Sequence, residues 1–178
     1  MATVFSHAVA ALTVTHAAGP RTRRARVWAL AAACSMLPDA DVLGFVFGVA
    51  YGDLLGHRGL THSLAFAFLL GCVVTLAAFR DVPRFSHRWW SLALLFFACT
   101  ASHGLLDALT DGGLGVAFFS PFDPTRYFFP WRPVEVSPIG PAFFSARGAQ
   151  VLASELFWIW LPSLVILATV NIYRRFKQ

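Results

Sequence analysis

The chain has 178 residues, 57% of them hydrophobic, 15% aromatic and only 13% charged, with a formal net charge of +5. A soluble domain carries about 25% charged residues, so this composition excludes an ordinary water-soluble fold, and a chain of this length is expected to form one domain over 1–178. The positive balance does not point to nucleic acid, because the arginines gather in three clusters beside apolar runs, a placement that membrane topology explains better.

In chain order, the first apolar run covers 3–19 and contains His7. It lacks a positive leader region and a His interrupts it, so it is expected to be retained rather than cleaved as a signal peptide. A basic cluster follows, with Arg21, Arg23, Arg24 and Arg26. The second run, 27–50, is broken by Pro38-Asp39-Ala40-Asp41. A short polar loop at 51–62 holds His57, Arg58, Thr61 and His62, and leads into a third run at 63–79. Arg80, Arg84 and Arg88 precede a fourth run at 90–110, which carries His103 and Asp107. Residues 111–155 are rich in Pro, Phe and Gly, which oppose regular helix, and are expected to form an irregular aromatic cap at the outer membrane interface. Glu155 opens the last run, 156–173, and Arg174, Arg175 and Lys177 close the chain.

A helix crossing the hydrocarbon core needs about 20 residues, with about 17 the lower limit. The fold expected is therefore all-α, a polytopic membrane helix bundle of about five transmembrane segments. If the five alternate, all three basic clusters fall on one side, and the positive-inside rule makes that side cytoplasmic. The N-terminus, the 51–62 loop and the cap then lie outside and the C-terminus inside. Trp28, Trp89 and Trp90 at segment ends fit an aromatic belt. Cys34, Cys72 and Cys99 each stand alone in an apolar run, which suits small buried hydrophobes better than a metal or redox site.

Ionisable residues inside membrane segments are costly and mark functional sites. Asp39 and Asp41 would point to different faces of a regular α-helix. A backbone opened by Pro38 would let both converge on one cation; the competing reading is a surface turn. His57 and His62 flank a glycine and can reach a metal from a loop, with Thr61 or Ser63 near the helix cap; the alternative is a pair of solvated histidines. His103 and Asp107 stand at i and i+4 on one helical face, a two-ligand arrangement or a hydrogen-bonded pair between helices. His16 falls toward the basic side and is read as cytoplasmic, and His87, in a basic loop, is read as solvated. Counting from the cytoplasmic ends at ~1.5 Å per residue puts His7, Asp39, Asp41, His62, His103, Asp107 and Glu155 at about 18–27 Å, one layer in the outer half of the membrane. Imidazole with carboxylate suits Zn²⁺, or Mn²⁺, better than Ca²⁺. The number of candidate ligands allows one to three ions, and a metal pair suits phosphoester hydrolysis. Arg58, and with less reason Arg126 or Arg132, can hold a phosphate oxygen.

His7, "MLPDADVLGF" (36–45), "GHRGLTHSL" (56–64) and "SHGLLDALTDGG" (102–113) resemble the bacterial inner-membrane metal-dependent hydrolase family, also described as LexA-binding, inner-membrane-associated hydrolases of the YdjM/YbcI type. "SPF" at 120–122 and "SELFWIWLP" at 154–162 extend the resemblance over nearly the whole chain. The family resembles, distantly, zinc-dependent phospholipase C and the P1-type nucleases. The resemblance implies a multi-metal phosphoesterase site in the bacterial inner membrane, acting on a lipid or small-molecule phosphoester. It assigns metal ligation to His7, Asp39 or Asp41, His57 or His62, His103 and Asp107, with Glu155 as a substitute for the later histidines this chain lacks. Asp41, His62 and Arg58 are the residues expected to act on substrate. Two other classes compete: an ion-binding transporter using the same ligands as a pathway, and a non-catalytic partner-binding protein with a structural metal.

Overall fold

The computed structural model describes residues 1–19 and 24–177; Arg21 and Arg23 of the first basic cluster lie outside the described residues. Among the described residues, six α-helical stretches carry the fold. The first, α1, is Val4–Ala17, and the Thr3 side chain caps it by accepting from the Ser6 N–H. The second, α2 (Ala25–Met36), runs straight into a 3₁₀ segment, Leu37–Phe47, that ends at Gly48 with φ of 79°. Pro38 has no N–H to give an α-helical bond, and the chain tightens at this point instead of opening as the sequence led one to expect. A short 3₁₀ turn at Leu60–His62 precedes α3 (Leu64–Ala78), which Ser63 caps by accepting from the Phe66 N–H at 3.1 Å. Ser86 does the same for the Trp89 N–H at the head of α4 (His87–Ala108). The last two, α5 (Ala146–Glu155) and α6 (Leu161–Phe176), join through a π turn at Leu156–Trp160 into one rod of 31 residues. Pro162 cannot donate to the carbonyl four residues back, and a widened turn just upstream absorbs that loss without breaking the rod.

Three of these helices are long and apolar enough to cross a membrane: Ala25–Phe47, His87–Ala108 and Ala146–Phe176. The expected count of about five is therefore high. The helices Val4–Ala17 and Leu64–Ala78 have 14 and 15 residues, which at ~1.5 Å each span only about 21–23 Å of a ~30 Å hydrocarbon core. Their apolar runs overstated them because residues at the ends leave the helix to cap or turn. Conversely, the last helix begins at Ala146 rather than 156, since the proline-rich stretch ends earlier than its composition suggested.

At the centre stands α4, packed against α1, α2 and α3. Phe96, Leu95, Leu92, Cys99 and Trp89 meet Ala11, Val27, Ala31 and Cys34 in the main core. Trp89 is thus a core residue, only 3% exposed, and not part of an aromatic belt. Gly71 lets α3 approach α4 closely: a Cβ there would lie 2.4 Å from the Ala93 carbonyl oxygen and 2.8 Å from the Phe97 nitrogen. Backbone cannot yield as a flexible side chain can, so Gly71→Ala is expected to destabilise the bundle by about 1–3 kcal/mol. Leu69→Ala, on the exposed side of α3, serves as the control. Equal thermal midpoints for the two variants in detergent would refute the close-packing argument.

Residues 109–145 form the cap, and apart from two single-residue bridges the described residues contain no strand. Backbone bonds stitch the cap to the bundle: Phe129 N–H to Ala108 O, Leu64 N–H to Phe118 O, Ala117 N–H to Arg58 O and Ser137 N–H to Met1 O. At the other end of the bundle Arg174 donates to the carbonyls of His16 and Ala17, His16 meets Asn171, and Arg26 lies over the Phe79 ring. The cap and the described residues of the basic clusters therefore occupy opposite ends.

Candidate metal centre

Four chain segments deliver His and Asp to one point under the cap. Asp39 comes from the 3₁₀ segment after α2, His62 from the turn before α3, and His103 and Asp107 from consecutive turns of α4. One side-chain donor atom from each of these four lies within 4.8 Å of the others, and all four residues are buried. His7 of α1 joins them: its Nε2 is 3.5 Å from Asp107 Oδ1 and 3.9 Å from Asp39 Oδ2, and its ring stacks on that of His103 at 3.6 Å. Gly104 makes room for this meeting, since a Cβ there would lie 3.0 Å from the His62 carbonyl oxygen.

The hydrogen bonds around the rings fix which nitrogens face inward. His103 Nδ1 lies 2.7 Å from the Ser35 carbonyl, which can only accept, so that nitrogen carries the proton. The Thr61 hydroxyl donates to Asp41 Oδ2 at 2.7 Å and so accepts on its other side, where His62 Nδ1 sits at 3.1 Å. His62 Nδ1 is also 3.2 Å from the Asp41 carboxylate. With both Nδ1 atoms occupied as donors, His62 Nε2 and His103 Nε2 face each other 3.0 Å apart. Two lone pairs at that distance repel unless a cation or a proton lies between them. Both Asp39 oxygens and both His7 ring nitrogens are buried without a hydrogen-bond partner among the described residues, although buried polar atoms in native folds are almost always satisfied. The set fits a divalent cation. Donors of mixed nitrogen and oxygen type suit Zn²⁺ or Mn²⁺, and Nδ1–H bonds of this kind are the second-layer contacts that would hold the imidazoles in place on an ion.

Asp39 and Asp41 do not converge on one point. Two residues in a 3₁₀ helix are 240° apart, so Asp39 faces the cluster while Asp41 faces the loop. There Asp41 Oδ1 meets His57 Nδ1 at 2.7 Å, and Asp41, His57 and His62 form a second group of possible ligands. His57 Nε2 has no partner among the described residues, and the Tyr51 ring stands edge-on to His57 at 5.2 Å.

Arg58 is fully buried and directs its guanidinium at the protein: Nε to Asp107 Oδ2 at 3.0 Å, one terminal nitrogen to Gly112 O at 2.8 Å and the other to the Thr110 hydroxyl at 2.9 Å. It holds a positive φ of 63°, a costly backbone for a residue other than glycine. Arg126 donates to the carbonyls of His57, Tyr51 and Asp53 and so fixes the loop, while Arg132 lies over Phe128. The structure does not bring Glu155 to the cluster. Its carboxylate accepts from the Thr3 N–H, the Thr3 hydroxyl and the Ser6 hydroxyl, tying α1 to the end of α5. Sequence reasoning passed over Ser35, Thr110 and Gly112, whose parts are played by carbonyl oxygens or by a hydroxyl met only on folding.

Comparison with known proteins agrees with the membrane reading. Residues 1–177 match the model of the family described as "YdjM inner membrane protein". The chain is 39% identical over 176 residues to "Inner membrane protein YbcI" of Escherichia coli (strain K12), covering 98% of this chain and all of that one. No solved structure matches it. An all-helical chain with three apolar helices of spanning length, a match along almost its whole length and a close relative of the same description together make it a member of the YdjM family of inner membrane proteins.

Proposed function

We propose that this protein is a metal-dependent hydrolase of the inner membrane, acting on a phosphoester, lipid or small-molecule, at the outer face. The observation that carries the metal part is the convergence of His62 Nε2 and His103 Nε2, 3.0 Å apart, beside Asp39 oxygens that have no hydrogen-bond partner among the described residues. His7, Asp39, His62, His103 and Asp107 would hold the ion, with His57 and Asp41 available for a second. A bound divalent cation of this kind supplies a water of lowered pKa and a charge to stabilise phosphoryl oxygens. The chain's own residues do the rest. Asp41 and Thr61 orient His62, Ser35 orients His103, and Arg58 sets the position of Asp107. Access for a substrate calls for movement of the 48–56 loop, whose Tyr51 covers His57. The outer-face placement rests on the three basic clusters, which the positive-inside rule puts in the cytoplasm together with the C-terminus.

Burial favours a second reading, because His7, His103 and Asp107 are 0% exposed. An ion there would serve as a clamp between helices without catalysis, in a protein whose role is to bind a partner. One experiment separates the readings. The full chain is purified in detergent, its metal content is measured by elemental mass spectrometry, and it is assayed on bis(p-nitrophenyl) phosphate and on phospholipid. The hydrolase reading expects bound metal and chelator-sensitive turnover, with His103→Ala losing both, at least about tenfold in metal affinity. Metal without turnover on either substrate would support the clamp reading. Metal content untouched by His103→Ala would sink both.

A further inference from the structure

Away from the cluster, at the basic end of the bundle, a cavity of about 480 Å³ is lined by Val73, Leu76, Ala77, Phe79, Arg80, Val82, Arg84 and Trp89. Its walls combine an apolar surface with two arginines. Neither Arg80 nor Arg84 has an ion-pair, hydrogen-bond or ring partner among the described residues, and the neighbouring Asp81 pairs with neither. A third guanidinium, that of Arg26, stands 5.2 Å above the ring of Phe79, another residue of the lining. Trp89, which forms part of the wall, has a buried indole N–H without a hydrogen-bond partner among the described residues. Below the arginines, Val73 and Leu76 are exposed on the outer side of α3, and Leu69 continues that apolar strip one turn further into the membrane.

Cationic groups without anions, set at the rim of an apolar recess at the end of a membrane bundle, match one kind of ligand. An anionic headgroup satisfies the guanidiniums, and hydrocarbon chains run down the strip Leu76–Val73–Leu69. Basic pockets between helices at a membrane surface recognise anionic lipids by this division of labour, and arginine suits phosphate because its fork of N–H donors matches the phosphate oxygens. We infer that the recess between the end of α3 and the start of α4 binds an anionic phospholipid through Arg80 and Arg84. Trp89 and Asp107 are separated by about 27 Å along α4, so this site is distinct from the candidate metal centre and stands whether or not that centre is catalytic.

Native mass spectrometry of the full chain in detergent tests the inference, with phosphatidylglycerol and phosphatidylcholine offered in equal amounts. Wild type is expected to retain phosphatidylglycerol preferentially, and Arg80→Ala/Arg84→Ala to lose that preference by roughly tenfold or more. Arg80→Lys/Arg84→Lys, which keeps the charge but not the fork, should fall between them. An unchanged thermal midpoint of the alanine variant shows that the loss is local. Equal retention of the two lipids by wild type, or the full wild-type preference in the alanine variant, overturns the proposal; if the alanine variant's midpoint falls, the lysine variant decides, and the full wild-type preference there overturns it. Displacement of the lipid by millimolar inorganic phosphate would also overturn it, assigning the arginines to free phosphate instead.

Discussion

Asp107→Ala is expected to destabilise the protein more than removal of any other cluster residue, by about 3–5 kcal/mol. Asp107 Oδ2 accepts from Arg58 Nε at 3.0 Å and Oδ1 accepts from the Ala2 N–H at 2.8 Å, with His7 and His62 also facing the carboxylate. Without it, a fully buried guanidinium loses the one anion it pairs with among the described residues. The cost of that stranded charge far exceeds the worth of the pair itself, because both partners gave up water on folding. His103→Ala removes a ring with its bond to Ser35 and its contacts with His7 and His62, but strands no buried charge, so it should lower metal affinity while leaving more of the fold. The measurement is unfolding in detergent for both variants and for Asp107→Ala combined with Arg58→Met. The combination should recover part of the loss, since methionine needs no counter-charge. If it is no more stable than Asp107→Ala, the stranded-charge account is wrong and the carboxylate matters for another reason.

Glu155→Ala is the second large effect, and its signature differs. Both carboxylate oxygens are taken by Thr3 and Ser6. Ser6 also receives the Trp160 indole N–H at 2.8 Å, so one acidic group ties the head of α1 to the rod of α5 and α6. Its loss leaves buried donors unsatisfied at about 1–3 kcal/mol each. Some rebonding is available, because the two hydroxyls can rotate toward other acceptors, so the net drop is expected to be about 2–4 kcal/mol. Metal content, by contrast, should stay that of wild type, and Glu155→Gln, which keeps one acceptor oxygen, should lie between the two in stability. Loss of metal from Glu155→Ala at full stability would reverse this assignment and make Glu155 a ligand, as its place in the sequence suggested.

The contrast between Glu155 and Asp107 shows how far the sequence could be read. Both stand in apolar runs at similar expected depth, and the rise per residue along a helix is a constant that any sequence discloses. The meeting of His103 and Asp107 in one cluster came through, because i and i+4 share a helical face whatever surrounds them. The direction in which a helix turns its polar face, and the donor it meets there, depend on how neighbouring helices pack. That rotation sends Glu155 to Thr3 and Asp107 to Arg58. The Pro38–Asp41 stretch failed for a related reason. Proline announces that α-helical bonding stops, but whether the chain opens or tightens is settled by contacts, and the tighter 3₁₀ path separates Asp39 from Asp41.

By itself the sequence determined that this chain is helical and belongs in a membrane, with an irregular cap at one end and the basic clusters at the other. Those properties follow from hydrophobicity, charge and proline content, which act locally. Tertiary structure alone decided that three helices, not about five, have spanning length, that Arg58 serves Asp107, that Glu155 holds the N-terminal helix, and that two imidazoles face each other at 3.0 Å. Each of these depends on which groups residues far apart in the chain bring together, and only packing supplies that.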